Sequence, residues 1–134
     1  MASGSGRVRD IDWRWTSNGR CLIEIRNHSW FFRPDNRLTV GRRDRSNLAR
    51  DMAWQVEVVA SALRPAGIDP LPSITPVLCF VDGQWPIFNP PKEFEGVLLE
   101  SERSIVGVLT RSGDIDTPSI ERLTVTLARA LPPN

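Results

Sequence analysis

The first part of the chain alternates apolar and polar residues, a pattern typical of half-buried β-strands. Two such segments span residues 8–15 and 20–26, and the Asn18-Gly19 pair between them is typical of a tight hairpin turn. Shorter segments at residues 29–33 and 37–40 predict two further strands. We therefore expect β-structure up to about residue 40.

Helical spacing of the apolar residues begins after this region and predicts one long amphipathic helix from about Ser46 to Leu63. Ser46 or Asp44 is expected to be its N-cap, and Pro65 and Gly67 are expected to end it. The apolar stripe comprises Leu48, Met52, Val56, Val59 and Leu63.

The second half of the chain mixes strand and helix patterns. The continuous apolar run at residues 77–81 predicts a strand covered on both faces, and residues 96–100 predict a short strand. Residues 84–88 predict a short edge segment, and residues 101–110 a short helix. A last helix opens at Thr117-Pro118, with the apolar stripe Ile120, Leu123 and Leu127. This order predicts an α/β (α+β) fold in which helices pack on a mixed central β-sheet.

Length and composition fit one domain. The chain has 134 residues; residues 1–6 are expected to be a flexible leader or cloning remnant, and residues 7–134 a single domain. Cys21 and Cys79 lie in apolar runs, so we expect both to be reduced core residues. Since no long apolar run or signal peptide is present, we expect a cytoplasmic protein without membrane contact.

Charge adds a different clue. The net charge is +1, so any affinity for nucleic acid must come from a local patch rather than a global field. Of the 17 Lys and Arg residues, only Lys92 is a lysine. Arginine suits bidentate phosphate contacts, although genome composition also explains an arginine excess.

The most suggestive chemistry lies on the first two predicted strands. Asp12 is on the first strand, and Glu24 and Arg26 are on the second. Residues two apart in a strand share a face, so Glu24 and Arg26 point the same way. Two carboxylates and a cation on one sheet face are suited to holding a divalent ion and a phosphate. The alternative is a surface strand whose Glu and Arg face water.

Other polar residues have one functional and one structural interpretation each. Gln55, beside the apolar stripe of the long helix, either bonds a site group or is a border amide bonded to backbone. His28 either contacts a phosphate or is a structural hydrogen-bonding residue. The arginines near the helix start either bind phosphate or form a solvated face neutralised by Asp44 and Asp51. This cluster comprises Arg42, Arg43, Arg45 and Arg50. Trp13 and Trp15 either stack bases or serve in core packing or a subunit interface.

Several segments together resemble the nuclease-related domain (NERD) family of the PD-(D/E)XK nuclease superfamily. The similar segments are residues 11–12, 18–19, 22–26, 38–45, 54–56, 76–81, 85–86, 96–97 and 127–133. The resemblance covers most of residues 8–133 and implies a restriction-endonuclease-like fold.

The resemblance implies roles for four residues. Asp12 and Glu24 would be the metal ligands, with Mg²⁺ or Mn²⁺ as the ion, and Gln55 would be the active-site glutamine. Arg26 stands where the family has a lysine, which keeps phosphate attraction but weakens the orientation of an attacking water. In the family a helix and strand with an early glutamate precede the Ile11-Asp12 strand; we expect that piece to be dispensable here, lost, or supplied by another chain.

Two functional hypotheses follow from this resemblance. One is a NERD-like, Mg²⁺-dependent nuclease that acts on DNA and is impaired by Arg26; the closing segment, residues 127–133, resembles the end of bacterial members. The other is a catalytically degenerate fold that binds nucleic acid or a protein. The missing first layer, with Trp13, Trp15 and Trp30 nearby, also predicts a homodimer or a partner chain that covers the gap.

Overall fold

A computed structural model of the chain describes residues 21–28 and 35–133. The first sheet contains three antiparallel strands in the order β1, β2, β3. They are β1 (Ile23–Asn27), β2 (Asn36–Val40) and β3 (Arg43–Asp44). Glu24 of β1 lies opposite Thr39 of β2, and Arg26 lies opposite Arg37.

Helix α1 (Ser46–Leu63) follows the first sheet and is bonded to it at its start. Leu38 of β2 donates its N–H to Ser46 Oγ at 3.0 Å, and its carbonyl accepts from Arg45 N at 2.7 Å. Arg45 is the N-cap residue and makes no side-chain cap bond, so the expectation of Ser46 or Asp44 as N-cap is wrong. Asp44 Oδ1 instead accepts from Ser46 N at 2.9 Å, which provides one partner for the unpaired donors of the first turn. These bonds fix the direction in which α1 leaves the sheet.

A short 3₁₀ helix (Arg64–Ala66) ends α1, and Gly67 behind it adopts a left-handed conformation with φ of 69°. Glycine takes this conformation without the steric penalty of a Cβ atom, so the predicted end at Pro65 and Gly67 is confirmed. All members of the predicted apolar stripe of α1 are buried or partly buried.

The second sheet is mixed and also has three strands. They are β4 (Val77–Phe80), β5 (Glu93–Phe94) and β6 (Val97–Ser101). The central strand β6 pairs in parallel with β4 and antiparallel with β5. Helices α2 (Ile105–Leu109) and α3 (Thr117–Ala130) complete the chain, and Asp116 caps α3 by accepting from Ser119 N at 3.2 Å.

Both sheets contribute to one apolar core beneath α1. Its buried members are Ile23, Leu38, Ala49, Phe94, Val97 and Leu99. A second cluster joins the end of α1 to α3 through Leu63, Ala66 and Leu123. Gln84 links the two sheets: Ile23 N donates to its carbonyl and its N–H donates to the Cys21 carbonyl, each at 2.9 Å.

The α+β class and the presence of a mixed sheet match the sequence-based expectation. The described residues form two small sheets, however, rather than the one central sheet that was predicted. The apolar run that includes β4 is not covered on both faces, because Cys79 is exposed and Val81 is 70% exposed. The expectation of two core cysteines is therefore wrong for Cys79, whereas Cys21 is partly buried.

Two smaller expectations also need correction. Ile120, assigned to the apolar stripe of α3, is 48% exposed. The predicted edge segment at residues 84–88 contributes a single bridge from Gln84 to Leu22. The strands predicted at residues 8–15 and 29–33, with Asp12, Trp13, Trp15 and Trp30, lie outside the described residues. In the part of the chain that the structure describes, no helix combines the length and apolar character needed to cross a bilayer.

Candidate functional site around Glu24

Glu24 and Arg26 project from the same face of β1, as the strand period requires. Arg26 donates two hydrogen bonds to one carboxylate oxygen of Glu24, from Nε at 2.9 Å and from Nη2 at 2.7 Å. The Glu24 side chain is 28% exposed, whereas that of Arg26 is 49% exposed. The result is a partly buried carboxylate beside a more exposed cation.

The two oxygens of the Glu24 carboxylate have different surroundings. Oε2 accepts both bonds from Arg26. Among the described residues, no group bonds to Oε1. A carboxylate oxygen without a protein partner can accept a hydrogen bond from a water. It can also coordinate a hard divalent cation, which prefers oxygen ligands.

A cleft of about 520 Å³ lies over Glu24. Its opposite wall is the proline-rich loop at residues 86–92, which follows the bridge from Gln84 to the start of β1. Because Gln84 is bonded beside β1, the loop that follows it is kept close to Glu24. The cleft residues are Glu24, Ile25, Pro86, Phe88, Asn89, Pro90, Pro91 and Lys92.

Lys92 is the charged residue that lines this cleft together with Glu24, and no sequence motif assigned it to a site. It is the sole lysine of the chain and it follows two prolines. Its carbonyl accepts a hydrogen bond from Leu99 N of β6 at 2.9 Å, which fixes its backbone to the second sheet. Lys92 stands out in the sequence as the single lysine. Its place in the same cleft as Glu24, however, depends on contacts between segments that are distant in the chain.

The arginines near the start of α1 lie in the turn and strand before the helix and in its first turns. Arg42 and Arg43 are exposed in the turn and strand before the helix, and Arg45 is partly buried. Among these described arginines only Arg50 forms an ion pair, with Glu95 at 3.4 Å. Their proposed role in binding nucleic acid stays a prediction.

Asp44 does not form an ion pair with that arginine cluster. It pairs instead with Arg37, whose Nη1 lies 3.4 Å from its Oδ2, and it accepts from Ser46. The hydrogen bonds from Ser46 lower the pKa of the Asp44 carboxyl. The Arg37 guanidinium donates a hydrogen bond to Asp35 at 2.9 Å and lowers the pKa of the Asp35 carboxyl. Asp44 was expected to neutralise the arginine cluster together with Asp51, but its partners are Arg37 and Ser46.

Two further candidates have exposed side chains. Gln55 is exposed on α1, so its expected contact with a site group stays a prediction. His28 is exposed, and its backbone N–H donates to the Asp35 carbonyl at 2.8 Å. This bond joins the end of β1 to the segment entering β2 and accounts for the backbone position of His28, not for any role of its imidazole.

The fit of a divalent ion can be tested against these residues. Within residues 21–28 and 35–133, no group of three or more His, Cys, Asp or Glu side chains could hold a metal ion. Glu24 Oε1 fits a hard cation as one ligand, and its expected partner Asp12 lies outside the described residues. A complete site therefore needs at least one carboxylate in addition to Glu24.

Comparisons with known proteins add no relative to this picture. No family model, curated protein or solved structure matches the chain significantly. The features that bear on function are therefore the chemistry of the Glu24 cleft and the resemblance of several segments to the NERD family.

Proposed function

We propose that this protein is a NERD-like, Mg²⁺- or Mn²⁺-dependent nuclease that hydrolyses phosphodiester bonds in DNA, with activity limited by Arg26. The observation that supports this proposal is the Glu24 carboxylate beside a cleft: one oxygen is bonded to Arg26, and the other has no partner among the described residues. Asp12 would supply the second carboxylate for the ion. A bound divalent ion would polarise the phosphate and lower the pKa of a water.

The protein groups have separate tasks in this proposal. Glu24 Oε1 would hold the ion, while Arg26 would compensate the charge of the bound phosphate and keep the Glu24 side chain in one orientation. Gln55 would orient the water or the phosphate. The exposed Arg42 and Arg43, with Arg45 and Arg50, would bind the DNA backbone through charge-assisted contacts that do not read sequence.

One observation favours a second candidate function. Both bonds from the Arg26 guanidinium go to Glu24, which reduces the capacity of Arg26 to bind a phosphate. A guanidinium also remains protonated, so it cannot act as the compact, adjustable ammonium found at this position in the family. The alternative is therefore a degenerate domain that binds nucleic acid or a protein without cutting.

Plasmid cleavage separates the two candidates. Highly purified protein should nick supercoiled DNA in Mg²⁺ or Mn²⁺, and Glu24→Gln or Asp12→Ala should abolish nicking without lowering the folded fraction. Glu57→Gln is a matched control, because Glu57 also pairs with an arginine, Arg64, at 2.9 Å on the exposed side of α1. Absence of cleavage in both metals, with DNA binding retained, would establish the second candidate instead.

A further inference from the structure

Lys92 lies where two clefts meet. The Glu24 cleft of about 520 Å³ and a neighbouring cleft of about 500 Å³ share Pro86, Pro90, Pro91 and Lys92 as lining residues. The neighbouring cleft also contains Arg111 and Ser104. A ligand that occupies the Glu24 cleft, or extends from one cleft to the other, therefore passes Lys92.

The backbone of Lys92 is held in place although its side chain is exposed. Two prolines precede it, and proline restricts the backbone freedom of the loop. The hydrogen bond from Leu99 N to the Lys92 carbonyl, at 2.9 Å, joins the loop to the central strand of the second sheet. Lys92 thus lines both clefts from a fixed backbone position.

The charge of Lys92 is not used by another protein group in the described part of the chain, where it forms no ion pair. Arg26, by contrast, directs two N–H groups at Glu24. Lys92, rather than Arg26, is the cation that lines the Glu24 cleft and, among the described residues, has no ion pair that would compete with an incoming anion.

We propose that Lys92 is a phosphate-binding residue of the Glu24 cleft and contacts the DNA phosphate directly, whereas Arg26 directs two of its N–H groups at Glu24. The inference rests on the proposed nuclease function, since a phosphodiester is the anion that this function brings to the cleft. A lysine ammonium is compact, carries three rotatable donors and needs no planar partner. It can follow a phosphate whose charge increases during hydrolysis.

Salt dependence of DNA binding tests the contact directly. Each neutralised phosphate contributes about 0.9 to the slope of log affinity against log salt for duplex DNA. Lys92→Ala should make the salt dependence shallower: the magnitude of the slope should decrease by about 0.9 between roughly 50 and 200 mM salt. The control is Arg129→Ala, which removes one exposed charge from the last turn of α3 and does not line either cleft.

Cleavage and binding measurements together distinguish a phosphate contact in the cleft from non-specific electrostatic attraction between the protein and DNA. Lys92→Ala should reduce kcat on the order of 100-fold, as for the loss of one donor to a reacting oxyanion. Lys92→Arg should restore the salt slope but only part of the cleavage rate, because a guanidinium places its donors differently. Since Lys92 is the single lysine, amine acetylation read by mass spectrometry should also show DNA protecting this residue several-fold.

The possible outcomes separate this inference from the nuclease proposal. If wild-type protein binds and cuts DNA in a Glu24-dependent way while Lys92→Ala behaves like Arg129→Ala, the role of Lys92 is refuted and the nuclease proposal stands. If wild-type protein neither binds nor cuts DNA, both proposals fail. A lower salt slope, a slower cut and acetylation protection at Lys92 would support both.

Discussion

Arg26 directs two hydrogen bonds at a single carboxylate oxygen of Glu24 and leaves the other oxygen of that carboxylate without a partner among the described residues. The bond lengths, 2.9 and 2.7 Å, are those of charge-assisted hydrogen bonds. The pair therefore orients Glu24 toward its cleft and at the same time competes with any ion for the same side chain.

This competition predicts the effect of Arg26→Lys. An ammonium cannot reproduce the two-pronged contact, so Glu24 becomes freer to bind an ion and the compact cation becomes available to the phosphate. We expect plasmid nicking to increase several-fold at unchanged protein stability. An unchanged or lower rate, measured at equal metal concentration, would show that Arg26 does not limit activity. Arg64→Lys, which alters the exposed Arg64–Glu57 pair away from the cleft, is the control.

The glycine at residue 83 predicts a packing effect. A Cβ added at Gly83 would come within 2.6 Å of Ile23 Cδ1 and 3.2 Å of Phe80 Cβ, and Ile23 is fully buried. Gly83→Ala should therefore lower the free energy of unfolding by about 1–3 kcal/mol in urea denaturation.

The matched control for Gly83 is Gly107, which lies in α2 and has no atom within 4 Å of an added Cβ. Gly107→Ala should raise the free energy of unfolding by about 0.5–1 kcal/mol, because alanine reduces the entropy of the unfolded chain. Equal effects of the two substitutions would contradict the packing described between Gly83 and Ile23.

The cap of α3 predicts a pH dependence. The hydrogen bonds from Ser119 lower the pKa of the Asp116 carboxyl below 3.8. A carboxyl whose pKa is lower in the folded than in the unfolded state stabilises the fold above the unfolded value. That stabilisation is lost as the pH falls through the folded value. Acidification below about pH 4 should therefore weaken the cap in the wild-type protein.

Asp116→Asn isolates this effect because asparagine is also a good N-cap residue but does not titrate in this range. The Tm of the variant should be close to that of the wild type near pH 7 and should fall less steeply in acid. Parallel Tm curves for the two proteins between about pH 7 and pH 3 would exclude a contribution of Asp116 to acid unfolding.

The predicted homodimer has a direct test. Ile87 and Phe88, on the loop that forms the wall of the Glu24 cleft, are 90% and 88% exposed, which is unusual for large apolar residues. We expect twice the chain mass by light scattering, and Ile87→Ser should shift the protein toward monomer. A monomeric mass at high concentration would rule out the homodimer.

Local patterns allowed the elements of the described fold to be predicted well. Helix α1 has its predicted bounds because its apolar spacing is regular and because Pro65 and Gly67 end it. The two-residue strands β3 and β5 were not predicted, since pairs such as Arg43-Asp44 carry no periodic signal. Cys79 was wrongly assigned to the core, because an apolar run does not reveal which of its faces another element covers.

In the candidate site, too, the sequence predicts contacts within one strand but not contacts between distant segments. The shared face of Glu24 and Arg26 follows from the strand period, so the sequence was sufficient to predict it. The position of Lys92 in the same cleft as Glu24 was not predictable in this way. It depends on the bridge from Gln84 to the first strand, which joins segments far apart in the chain.

Whether Glu24 holds a divalent ion can be measured by calorimetric titration of Mn²⁺ or Mg²⁺ into the wild-type protein. We expect saturable binding by the wild type and by the Glu57→Gln control, and no binding by Glu24→Gln or Asp12→Ala at equal folded fraction. Absence of binding to the wild type, or affinity that survives Glu24→Gln unchanged, would contradict the claim that Glu24 holds a divalent ion.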